Sequence, residues 1–159
     1  MQTPAPAELQ RLAFLIEAET SQLKEFLDLL EREKSLLVSG NDDGLLPLTE
    51  EKNERYRQLQ RLHDDRAALL ARHGFANDNA ALRAFCASAP KVLARWDEAL
   101  AFAAQARERN AINGKLIAGF MRRTQGALSV LLSAAGQPPL YDAGGHSRPT
   151  GRKRILGTA

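Results

Sequence analysis

A chain of 159 residues with 44% hydrophobic and 26% charged content has the size and composition of a single ordinary domain. Its net charge of +3 is local: Arg148, Arg152, Lys153 and Arg154 against Asp142 follow Ala135, and before them 18 cations balance 18 acids. A neutral body with a basic end excludes the broad basic face of a nucleic-acid-binding domain, and no run approaches the roughly 18 apolar residues of a membrane span.

The opening Met1-Gln2-Thr3-Pro4-Ala5-Pro6 lacks the basic and apolar regions of a signal peptide, so a cytoplasmic location is expected. The lone Cys86 fits a reducing compartment. A first helix is predicted over about 7–39, where Leu9, Ile16, Leu23, Leu30 and Leu37 repeat at the coiled-coil period with Leu12, Phe26 and Leu27 beside them. Glu19 and Glu33 stand where that pattern asks for hydrophobes, so an interrupted seam is expected. At 1.5 Å per residue this helix is roughly 50 Å long, which predicts an elongated molecule.

Val38 to Gly44 is a turn by composition, with Asp42 or Asp43 as the expected cap of a second helix over about 45–73. Pro47 fits only in that helix's first turn, where no helical donor is lost. Leu45, Leu48, Leu59, Leu62, Leu69 and Leu70 form its stripe, and the short connection predicts an antiparallel hairpin. His73-Gly74 is a stop signal. Asn77 or Asp78 then caps a short helix over about 78–87 with Leu82 and Phe85 inward and Cys86 buried.

Ser88 as N-cap and Pro90 in the first turn start a third long helix over about 89–135 that returns beside the first and stops at Gly136 before Pro138-Pro139. Its stripe runs through Leu93, Trp96, Leu100 and Ala103, then Ile117, Met121, Leu128 and Leu131. The predicted fold is all-α: an elongated antiparallel hairpin or three-long-helix bundle with a short extra helix, over 1–135, and a flexible basic tail over 136–159.

Nothing in this pattern assembles a catalytic or metal site, and no cofactor is implied. His63 and His73 are ten residues apart on one helix and cannot chelate together. Glu50-Glu51 and Asp64-Asp65 are sequence neighbours and diverge around a helix, whereas acid–base work needs convergent carboxylates. The Gly145 to Lys153 run has five residues between its glycines, no Ser or Thr after the Lys and no preceding strand, so it is not a phosphate loop. Trp96 falls in the stripe and reads as core. Tyr141 stands beyond the helix stop beside Leu140, either as a short linear anchor for a partner or as a lid folded onto the bundle end.

In mid-stripe Asn110, Asn113 and Gly114 share one face ahead of Ile117. Gly in a helix interior costs roughly 1 kcal/mol relative to Ala. Its use there points to a close backbone neighbour or a bend, and the two amides to a register-fixing polar layer or to a binding role.

The pattern Asn110-x-x-Asn113-Gly114-x-Leu116-Ile117, followed by Leu140-Tyr141-Asp142-Ala143-Gly144-Gly145 and a basic, apolar end, resembles the FlgN family of flagellar type III export chaperones over nearly the whole chain. The resemblance implies a non-enzymatic cytoplasmic chaperone that binds the C-terminal region of the hook-filament junction proteins FlgK and FlgL and keeps them unassembled. It further implies delivery to the export gate protein FlhA, with Tyr141 as gate anchor, Leu140 as its neighbour, and Asn110, Asn113, Gly114 and Ile117 as the helix motif, touching cargo or setting packing. The chain departs from the family's compact pattern in its longer Pro-bearing ends, and its Pro138-Pro139 pair bears on how far the tail reaches. Neither nucleic acid nor membrane insertion is expected, and the chain is expected to be a monomer or weak homodimer. The alternative is a self-associating coiled-coil scaffold pairing through the Leu9 to Leu37 seam.

Overall fold

The computed structural model describes residues 4–136, so Leu140, Tyr141 and the basic tail lie outside the described residues. Four helices follow one another: α1 (Pro6–Ser39), α2 (Leu45–Arg72), α3 (Asn79–Phe85) and α4 (Pro90–Ala134). The described residues contain no strand, in keeping with the all-α expectation. They fall into two compact units that divide inside α4, between Asn113 and Gly114.

The punctuation of the helices follows backbone chemistry. Pro6 opens α1 in the first turn, where its missing N–H is no loss. Gly40 closes the helix in the left-handed region at φ 69°. Gly74, at φ 77°, ends α2 in a double turn: its N–H reaches the Ala71 carbonyl at 3.0 Å, and the Phe75 N–H reaches that of Leu70 at 3.0 Å. Phe75 and Leu70 then join one apolar cluster, the hydrophobic contact usual in this motif.

Two expected caps are corrected. Gly44, not Asp42 or Asp43, holds the N-cap position of α2, and no side chain caps it; the Leu45 N–H instead bonds the Asp42 carbonyl at 3.1 Å. At the start of α4 the Ala89 carbonyl, one residue beyond Ser88, accepts from Val92 at 3.0 Å and Leu93 at 3.2 Å. With Pro90 as the first helical residue, the cap must precede it directly. The Asp78 carboxylate caps α3 as expected, accepting from the Ala81 N–H at 2.7 Å.

The α1 seam is consumed inside the first unit. Leu12 and Ile16 pack with Leu69 and Leu70 of α2, Leu82 and Phe85 of α3, and Trp96 and Ala99 of α4. Further along, Phe26, Leu27 and Leu30 pack with Ala106. Cross-helix pairs give the directions. Arg66 meets Glu19 and Lys52 meets Glu33, so α2 runs antiparallel to α1. Arg95 meets Glu17 and Arg109 meets Glu31, so this part of α4 runs parallel to α1.

Candidate partner-binding site

Glu19 and Glu33 do not simply interrupt the seam. Each is buried and paired with a cation of α2. Arg66 Nε donates to the Glu19 carboxylate at 3.2 and 3.1 Å, and Lys52 Nζ to that of Glu33 at 2.9 and 3.1 Å. The two acids are two heptads apart, and so, in reverse order, are the two cations. A slip of one heptad in either direction places a leucine, Leu45 or Leu59, opposite a buried carboxylate. The pair of pairs therefore fixes the hairpin register, the best-attested use of buried polar groups in helical seams.

The first unit's part of α4 reads both layers. Trp96 lies against the Arg66 guanidinium at 4.7 Å, and its indole N–H donates to Asn79 Oδ1 at 2.8 Å, which ties α3 to α4. Asn113, only 1% exposed, donates its amide to the Leu30 carbonyl at 2.8 Å and to Glu33 Oε1 at 2.9 Å. Asn110 is half-buried, and the Tyr56 phenol has its pKa raised by burial and by the nearby Glu33 charge, against a lowering effect of Asn110. Arg66 also donates to Asn77 Oδ1 at 2.6 Å, and Asn77 Nδ2 lies 3.1 Å from His63 Nε2. Burial raises the Glu19 carboxyl above its ordinary value, against the lowering effect of Arg66.

The Asn-x-x-Asn-Gly motif thus separates. Asn113 packs, and the close approach expected at Gly114 is not found, since a Cβ placed there meets nothing within 4 Å. Ile117 is half-buried in the second unit. Lys52, Arg66 and Tyr56 were not singled out from sequence. Acids at two seam positions were the available signal, since a buried carboxylate requires a donor.

A groove of about 400 Å³ opens between α1, α2 and the N-terminal part of α4, walled by Leu23, Leu59, Leu100 and Ala103 and floored by Glu19 and Arg66. In the second unit the late stripe of α4 is uncovered: Met121 is 55% exposed, Leu128 43% and Leu131 67%. His63 and His73 occupy separate surroundings, His73 lying 3.7 Å from Glu8 and against the Phe85 ring. Cys86 is fully buried, and burial pushes its thiol up to about 11, which suits a packing residue. Among the described residues no three His, Cys, Asp or Glu side chains gather as a metal site, and no helix is long and apolar enough to cross a membrane.

Fold and site define an all-α bundle whose buried polar groups set helix register and whose last helix presents apolar side chains. Residues 1–149 match the family described as FlgN protein, and the chain belongs to that family. It is similar to the flagella synthesis protein FlgN of Escherichia coli (strain K12), 26% identical over 144 residues that cover 91% of this chain and 95% of that one. No solved structure matches it. Membership supports a flagellar export chaperone role.

Proposed function

We propose that this chain is a cytoplasmic, non-enzymatic chaperone that captures the C-terminal region of FlgK and FlgL by burying a cargo helix, keeps them unassembled and delivers them to FlhA. The observation that carries the reading is the uncovered stripe of α4. Met121, Leu128 and Leu131 stand exposed at helical spacing in a chain of the FlgN family, and apolar surface so arranged is what an amphipathic helix buries. Burial at roughly 25 cal/mol per Å² favours such capture, opposed by the entropy of ordering the bound helix. Leu140 and Tyr141 are assigned to gate docking, and Asn110, Gly114 and Ile117 to cargo contact or packing near the stripe.

The scaffold alternative loses its surface. Ile16, Leu30 and Leu37, which that alternative pairs between protomers, are buried within this chain. A monomer that forms a one-to-one complex with cargo is therefore expected in light scattering.

Co-purification with FlgK or FlgL from the same source tests the proposal, and failure to retain either removes the named cargo. Tyr141→Ala should leave cargo retention intact while weakening FlhA docking. Equal loss of both would assign the tail to the cargo site.

A further inference from the structure

We infer that residues 115–132 of α4 dock a helix whose apolar strip is edged by carboxylates, an inference that rests on the chaperone reading above and adds the chemistry of the occupant. Written as heptads, this stretch places Ile117 and Leu131 at d, Met121 and Leu128 at a, Phe120 at g and Leu132 at e, so its apolar face is wider than a two-helix seam. The cations take the flanks of that face: Lys115 and Arg122 at b, Arg123 at c.

Two observations make the occupant acidic. The first is the habit of this chain's own helix pairs, whose apolar contacts are bordered by cross-helix ion pairs: Arg32 with Glu51 at 3.1 Å, Lys24 with Glu98 at 3.4 Å, Arg95 with Glu17 at 3.1 Å. Lys115, Arg122 and Arg123 make no ion pair among the described residues. The second is compositional: no Asp or Glu occurs between Glu108 and Asp142. A second copy of this segment would therefore bring cations against cations, and like charges across an interface disfavour the pairing. A helix with glutamates beside its apolar strip supplies what is missing on both counts.

The test uses the full chain and a fluorescein-labelled synthetic helical peptide with leucines along its seam and glutamates at its edges, beside the same peptide with glutamines. Three exposed ion pairs predict about tenfold tighter binding of the glutamate peptide at low salt. The preference should shrink to within about twofold at 1 M salt, where the screening length is roughly 3 Å, and vanish in the Lys115→Gln/Arg122→Gln/Arg123→Gln chain, whose three substitutions are on exposed positions. Equal binding of the two peptides, a preference that survives the triple substitution, or binding of neither peptide overturns the inference. Binding to phosphatidylglycerol vesicles with no peptide binding also overturns it, in favour of a membrane surface. Junction proteins that co-purify with a chain showing no peptide preference leave the chaperone role standing and remove this inference. A clear peptide preference in a chain that retains neither junction protein does the reverse.

Discussion

Asn113→Ala is the most direct test of the polar layer. The side chain is 1% exposed and donates one hydrogen bond to the Glu33 carboxylate and one to the Leu30 carbonyl. A hydrogen bond to a charged group contributes about 1.5–3 kcal/mol and a neutral one about 1 kcal/mol. Lys52 still neutralises Glu33 at 2.9 Å, so the carboxylate is not left alone and the loss falls near the lower end, about 3 kcal/mol. For a chain of this length that corresponds to a melting temperature lower by about 6–12 °C. Urea denaturation of the variant, with a double-mutant cycle against Lys52→Met, measures both the loss and its coupling to the ion pair. Replacing the whole layer, as Glu33→Leu/Lys52→Met/Asn113→Leu, should recover most of the stability, because an apolar layer avoids the desolvation of two charges. A loss under about 0.5 kcal/mol for Asn113→Ala, the range of an ordinary surface substitution, would refute the assignment.

Three further outcomes are expected. Glu19 has a carboxyl raised above 4.5 by burial, so the stability it contributes is complete below 4.5 and is lost as pH rises through its folded value. The stability gap between the wild type and Glu19→Gln should therefore narrow as denaturation is repeated from pH 4 upward, and a widening gap would mean that the Arg66 charge outweighs burial. Cys86, with its thiol moved from 9.0 to about 11, should react with a disulfide reagent at pH 8 at least about 100-fold more slowly in the folded than in the unfolded chain. Gly114→Ala meets no atom within 4 Å and should stabilise α4 by about 1 kcal/mol, read as a higher melting temperature; destabilisation would show a close neighbour after all.

Periodicity alone carried the helices. The seven-residue repeat from Leu9 to Leu37, the glycine stops at Gly40 and Gly74 and the Pro90 start are local signals, because apolar spacing, left-handed closure and a missing N–H act within one helical turn or a few. The antiparallel hairpin followed from the shortness of its connection. The caps at Asp42, Asp43 and Ser88 were misplaced because several acceptors lie within two residues of the true cap, and backbone geometry chooses among them.

What the sequence by itself determined is therefore which segments are helical and which face of each is apolar, since both depend on the order of neighbours along the chain. Only the tertiary structure decided the meaning of Glu19, Glu33 and Asn113. Their partners Arg66, Lys52 and the Leu30 carbonyl lie 47, 19 and 83 residues away, and whether a polar residue in a seam is a fault or a register lock depends on what faces it across the packed interface. It also showed Asn113 enclosed and Met121, Leu128 and Leu131 further along α4 exposed.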